Sequence, residues 1–559
     1  MSGRHTAYEI QVLRDKNWVI QEIRPDEAAA TSFADSLLQK GNLLAVRVVR
    51  TYLRQDGSQS ETVLMEKTGD GKVKTDLTLT QVQEAPVCRA LDDFYGLASR
   101  LTIGRMARKY LDEMVLTPTE LLHSAAELKR FGDKDRLLMM AVDIAAGLQA
   151  KQTGEEQKVR RDFLFSMWEK IFARARANLG VKLPEAKSFA ALQKLAKGGG
   201  EERAFELRAL MTRRLTDVRS WLGKLDLLLE WAAEPKVGED IALIDGVVAD
   251  LMIPAQVLQD LMGFQPNLGT ALCSIADLAA GKAELPKFAP TCFAGVNALF
   301  AEDKLPQARQ VLLNRVTREL RGTNPLSRNE PGQEYEMFTK LLHHMVGDQG
   351  IIGGPSMAEA LVTRYGSIVR ANGADASLRA VEGLLGALND SCRRVHLLLA
   401  LSDAGMPPEL LELLKIQVSG SDQLNYWVPV KVPPRDRMHA MTVTHGLLSG
   451  SNQVPNPPRD DLARSMDEVL CRYLVDEGVI EKIDKADDPL AMRAIRLIKF
   501  CGSGVLIRGK SLDLARSRII EHLRQPQFEE KFLASSGDTT SGEKNLREFH
   551  RLLREVGFA

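Results

Sequence analysis

Apolar and polar positions alternate with period two over Tyr8–Leu13, Trp18–Ile23, Ala45–Arg54 and Glu61–Thr68, the spacing of strands buried on one face. Between the second and third runs, Pro25-Asp26-Glu27 opens an alanine-rich segment to about Lys40 that reads as a helix stopped by Gly41-Asn42. Arg14-Asp15-Lys16-Asn17 and Gln55-Asp56-Gly57-Ser58 supply the turns of two hairpins. The pattern predicts a small N-terminal ββαββ (α+β) domain over residues 1–85, one sheet covered by one helix. Lys74–Val82 adds an edge strand or serves as a linker.

Near Pro86 the period changes. From Val87 onward helical spacing dominates, so the expected fold is mainly α, a small head followed by multi-helical, irregular array domains. Expected helices include Thr117–Phe131, Lys134–Ala150, Val159–Leu179, Glu202–Glu234, Asp240–Met252, Leu305–Arg321, Ser356–Ala371 and Ala376–Ala404. Gly198-Gly199-Gly200 reads as a hinge, and Gly322–Gly332, rich in Asn, Pro and Ser, as a connection between domains. Ser419–Pro458 reads as non-helical, because Pro429, Pro433, Pro434, Pro457 and Pro458 punctuate it. The resulting division is 1–85, helical domains 86–200, 201–325 and 326–418, a Pro-rich connector 419–459, and a C-terminal helical domain 460–559 with a basic face. No fixed repeat period emerges.

Composition adds limits. The 559 residues are 44% hydrophobic and 26% charged, ordinary for a folded chain of several domains. Lys plus Arg equals Asp plus Glu at 74 each, so a chain-wide grip on nucleic acid or anionic lipid is disfavoured, while local basic faces stay open. The N-terminus has no apolar signal segment, and no apolar run is long enough to span a bilayer. Six cysteines without a CxxC pair suit a reducing compartment, and the expected location is cytoplasmic.

Candidate chemistry is sparse. Gly504-Val505-Leu506-Ile507-Arg508-Gly509-Lys510-Ser511 satisfies the spacing of a phosphate-binding loop, in which Gly504, Gly509, Lys510 and Ser511 would hold a nucleotide phosphate. Its bulky interior residues and the short remaining chain favour instead a turn between helices with Ser511 as cap. Residues 491–524 are strongly basic, and Arg493, Arg496, Lys499, Arg516 and Arg518 form a candidate surface for a phosphate-bearing or acidic partner, nucleic acid included. Pairing with the chain's own acidic helices is the preferred alternative.

Tyr426 and Trp427, set among prolines, must bury against a neighbouring domain or a partner. The aromatic stripe Phe163, Phe165, Trp168 and Phe172 within 158–176 is expected to face the core rather than a membrane. Cys392 and His396 lack a second pair with metal-ligand spacing. No cofactor and no metal is expected. The pattern points to a scaffold, adaptor or regulatory protein that binds other proteins through helical surfaces. A nucleotide-binding regulator using 504–511 and a nucleic-acid-associated protein are the alternatives.

Overall fold

The computed structural model describes residues 6–558 except 15–16, 40–44, 54–58, 69–77, 135, 179, 287–288, 328–330, 374 and 536–538. The turn residues Asp15-Lys16 and Gln55-Asp56-Gly57-Ser58, the stop Gly41-Asn42 and the first part of 74–82 lie outside the described residues. The protein is mainly α, with a small N-terminal sheet and 28 α-helices among the described residues. The chain divides into two compact units, one of residues 1–84, 106–113 and 129–165, the other of residues 85–105, 114–128 and 166–559.

In the first unit, β1 (Thr6–Arg14), β2 (Asn17–Arg24), β3 (Ala45–Leu53) and β4 (Gln59–Thr68) form an antiparallel sheet in the order β2-β1-β3-β4. The ββαββ pattern holds because α1 (Glu27–Gln39) covers one face, packing Ala30 and Ala34 onto Ile10, Val12, Val46 and Val48. Small residues on the helix let its backbone approach the sheet, and β-branched residues on the strands fill the space. Both edge strands carry a bulge. Ile10 pairs with Glu22 and Gln11 with Ile20, leaving Gln21 extra; Val48 pairs with Met65 and Val49 with Val63, leaving Leu64 extra. Such bulges interrupt the ladder and work against addition of a further strand.

The second unit is built of helices that pack in succession. The helix Ile241–Leu251 rests on Pro306–Arg321, which packs on Gly354–Ile368 and then, through Ser391–Leu401, on Pro434–Gly450. Pro434–Gly450 contacts Pro458–Asp476, and the series continues through Lys510–Leu523 and Leu490–Cys501 to Thr539–Val556. One contiguous hydrophobic core runs from Phe189 to Leu553 along this series.

Several long expected helices are broken by the residues that best start a new one. Thr117–Phe131 divides at Ser124, whose backbone is extended, into Pro118–His123, opened by the reciprocal capping box of Thr117 and Glu120, and Ala125–Asp133. Glu202–Glu234 becomes Gly200–Leu215 and Trp221–Ala232, where Ser220 accepts from the Gly223 amide. Ala376–Ala404 becomes Ala376–Ala387 and Ser391–Leu401, restarted by Asp390.

The expectation that Ser419–Pro458 is non-helical is corrected. Leu424–Trp427 forms one turn of helix and Pro434–Gly450 a long helix. The prolines are compatible with it because Pro434 occupies the first helical position, where its missing N–H leaves no bond unmade.

Candidate functional site

The segment that matches a phosphate-binding loop is filled from within. Val505, Leu506 and Ile507 are buried in the core, so the interior of the motif is a hydrophobic plug and its amides do not line a hollow. The helix begins at Lys510, not at Ser511. Its first amides, those of Lys510 and Ser511, donate to the two oxygens of Asp467 at 2.5 and 3.1 Å. The Ser511 hydroxyl donates to the Ile507 carbonyl (3.1 Å), and Lys510 Nζ reaches Glu468 (2.6 Å) at the surface. Gly509 is required by proximity, since a β-carbon there would collide with the Asp467 carboxylate. Gly504, at φ +73, makes the turn that leads in. A carboxylate from the neighbouring helix thus stands where a phosphate would have to sit.

The same device recurs. Asp245 accepts from the Gln307 and Ala308 amides (2.8 and 3.0 Å), and Glu234 from those of Phe189 and Ala190 (2.6 and 2.9 Å). The helices that begin at Pro306, Phe189 and Lys510 have no side-chain cap of their own, and in each case a carboxylate from elsewhere in the chain supplies it, from within a helix for Asp245 and Asp467 and from just past a helix end for Glu234. The exposed amides and positive dipole end of each helix are satisfied across the packing interface. Asp250 does the same for Thr119, accepting from its amide (2.8 Å) and hydroxyl (2.6 Å), while its other oxygen accepts from Arg100 (2.9 Å).

The basic C-terminal residues are largely engaged inside the chain. Asp484, with its side chain 2% exposed, accepts from Arg493 (2.7 Å) and His522 (2.9 Å) and pairs with Arg518 (2.9 Å). Burial would push its carboxyl up, but Arg493 and His522 outweigh that and hold it below the usual carboxylate range. Arg496 pairs with Asp488, and Arg516 donates to the Val556 carbonyl (2.5 Å) while lying over the Phe558 ring. Lys499 is exposed. Trp427 is fully buried and Tyr426 half-buried, so the Trp427 indole is a core element and not a surface for a partner.

The aromatic stripe of 158–176 turns towards the core through Trp168 and Phe172, which pack against the cluster that holds Ile171 and Ala175. Leu164, Met167, Ile171 and Ala175 are the buried positions, and Phe163, Phe165, Trp168 and Phe172 are half-buried beside them. Apolar groups of smaller size reach deeper than the aromatics.

Sequence spacing missed a buried cluster of polar and aromatic side chains, because its members come from distant segments. His123 and Tyr95 lie with ring centroids 5.0 Å apart, each against Phe205, and the Arg174 guanidinium stacks 4.1 Å over Phe205. Burial pushes the His123 imidazole down to about 3 and the Tyr95 hydroxyl up to about 12. At neutral pH neither exchanges a proton readily, which is the reverse of what general acid–base chemistry needs.

His396 has both ring nitrogens engaged, one with the Gly347 carbonyl (3.1 Å) and one with Thr444 (2.9 Å). Burial holds the Cys392 thiol at about 12 and those of Cys273, Cys292 and Cys501 at about 11, protonated and poorly nucleophilic. Among the described residues no group of His, Cys, Asp and Glu is placed to hold a metal ion. No single helix among them is long and apolar enough to cross a membrane.

Of the carboxylates that accept from distant backbone amides, Asp245 and Asp250 stand out in the sequence as acidic residues inside the apolar stretch Ile241–Ile253. Comparison with known families, curated proteins and solved structures finds no match to the chain.

Proposed function

We propose that the chain is a non-enzymatic scaffold, adaptor or regulatory protein of the cytoplasm that binds other proteins through its helical surfaces. The observation that carries this reading is the single core from Phe189 to Leu553, which ties many helices into one supporting body. A body of that kind presents the outer faces of successive helices as one surface, the arrangement that stacked-helix proteins use to hold partners. Ile416, Val475 and Met492 are half or more exposed on such outer faces and offer apolar contacts. The bulges on β2 and β4 direct attention to the helices and away from the sheet edges. Six unpaired thiols fit a reducing compartment.

Native mass spectrometry of the tagged chain, gently purified from its own cells, tests the proposal. Extra protein chains in fixed stoichiometry are the expected result. A small-mass adduct matching a nucleotide, with no protein partner, would overturn it.

A further inference from the structure

Residues 170–200 carry seven Lys and Arg against a single acid, Glu185, in a chain of zero net charge. Arg174 is paired, with Asp92 and Glu202. Lys170, Arg176, Lys182, Lys187, Lys194 and Lys197 are exposed and have no carboxylate partner among the described residues. The C-terminal stretch 491–524 is as basic by sequence, yet Arg493, Arg496 and Arg518 close onto Asp484 and Asp488. Charge is largely cancelled within the chain there and left open here.

The open charges sit on a backbone that is held in place. Between the helices Gln157–Ala177 and Phe189–Gln193, Arg213 donates to the Val181 carbonyl (2.5 Å) and Arg214 to those of Pro184 and Ala186. The Trp231 indole donates to the Lys187 carbonyl (2.8 Å), and Gln193 donates to that of Lys236 (3.2 Å). Lys236 thereby joins Lys182, Lys187, Lys194 and Lys197 as a fifth exposed lysine. Carbonyls satisfy the hydrogen bonds of Arg213 and Arg214 without cancelling their charge. The neighbouring carboxylates are engaged elsewhere: Glu206 accepts from the Lys197 and Gly198 amides (2.8 and 3.0 Å), and Asp240 pairs with Arg203 (2.7 Å). With Arg203, Arg213 and Arg214 the five lysines make eight cations against four acids, Glu185, Glu206, Glu234 and Asp240. The face is positive, and its backbone is fixed before any partner arrives.

We infer that this face binds double-stranded nucleic acid through its phosphates, without reading sequence. Phosphate contacts from Lys and Arg suffice for such binding, because each releases condensed counterions. Other acidic partners need something this face lacks. Among the described residues from 160 to 263 no large apolar side chain is exposed. A protein interface needs an apolar or aromatic centre, and anchoring to an anionic membrane needs an inserted apolar group beside the basic one. Single strands are held by bases stacked on aromatic rings, and the same residues offer no exposed ring. The contact adds to the protein partners proposed above and does not depend on them.

Fluorescence anisotropy of a labelled DNA duplex of about 20 base pairs and arbitrary sequence, titrated with the full chain at about 50 and 100 mM salt, tests this. The wild type binds, and doubling the salt weakens binding roughly 12-fold, the dependence for about four phosphate contacts. The combined variant Lys182→Gln, Lys187→Gln, Lys194→Gln and Lys197→Gln loses more than about 30-fold in affinity at the lower salt. Its thermal transition stays at the wild-type temperature, since all four side chains are exposed. Lys499→Gln with Arg508→Gln, exposed positions of the C-terminal stretch, leaves the affinity unchanged. A wild type that does not bind at the lower salt overturns the inference. So does a combined variant that binds as tightly as wild type, or an equal loss from Lys499→Gln with Arg508→Gln. Phosphatidylserine vesicles that hold the chain at a salt concentration releasing the duplex would assign the face to a membrane and overturn it too.

Discussion

Asp467 and Lys510 meet at one helix start and carry opposite expectations for mutation. Asp467 is buried and accepts from two backbone amides that have no other partner, whereas the Lys510 ammonium pairs with Glu468 at the surface, with side chains 60% and 49% exposed. Asp467→Ala is expected to cost about 1–3 kcal/mol, the range for losing a cap and leaving buried amides unmatched. Lys510→Ala is expected to cost under about 1 kcal/mol, as for an exposed ion pair. Denaturant midpoints of the two variants give the comparison, and a larger loss for Lys510→Ala would refute tertiary capping at this motif.

Histidine burial gives a second residue-scale expectation. His123 at about 3 and His396 at about 4 are both lowered by burial from an ordinary value near 6.5, so the unfolded chain binds protons that the folded chain refuses. Their contribution is complete above about pH 6.5 and declines as pH falls towards 4, by about 1.4 kcal/mol per pH unit for each histidine. Urea midpoints measured from pH 7 to 5 should fall, and His123→Phe should make that fall shallower. A pH-independent midpoint would contradict the neutral burial of both rings.

At the scale of elements, what the sequence made legible depended on whether the signal was local. The strands, α1 and the apolar stripes of the helices could be read from periodicity, and Thr117, Ser220 and Asp390 are cap residues visible to a local reading. The helix starts at Phe189, Pro306 and Lys510 could be placed to within a residue, but the carboxylates that cap them could not be read, since Glu234, Asp245 and Asp467 lie between 43 and 63 residues away along the chain. Pro434–Gly450 was misread because prolines that begin a helix look like prolines that prevent one.

The same distance hides the Lys224–Glu120 pair, which joins Trp221–Ala232 to Pro118–His123 at 2.6 Å with both side chains at most 1% exposed. Burial pushes Glu120 up and Lys224 down, each towards its neutral form, so the pair holds only while both members remain. Lys224→Met is expected to cost about 3–5 kcal/mol by leaving a buried carboxylate alone, and Glu120→Gln added to it should recover much of that loss. Thermal unfolding of the single and double variants decides the matter. A double variant no more stable than Lys224→Met would mean that repacking, not the unpaired charge, dominates.

For the molecule as a whole, the connection at 322–332 provides the sharpest test. Composition made it a linker, but its described residues are fastened. Arg364 donates to the carbonyls of Gly322 and Asn324 (2.7 and 2.6 Å) and to Glu334 (2.6 Å), whose other oxygen accepts from the Leu326 and Ser327 amides. Leu326 is fully buried, and its carbonyl accepts from the Gly269 amide (3.0 Å). Met337 lies so close to Gly269 that a β-carbon there would strike it, and Phe338, Leu341 and Leu342 are fully buried in the common core.

A chain divided after residue 327 would therefore expose this packed interface on both products and strand the Arg364 guanidinium from two of its three acceptors, the Gly322 and Asn324 carbonyls. Each half alone is expected to aggregate or melt early, and co-expression is expected to recover a one-to-one complex. Two halves that are each monomeric, with sharp unfolding transitions of their own, would instead mean that the helices after 327 fold independently of those before. The physical basis of the expectation is the nearest-neighbour dependence of stacked helices. Each buries the stripe that the one before leaves open, so a cut inside the series removes support from both sides at once.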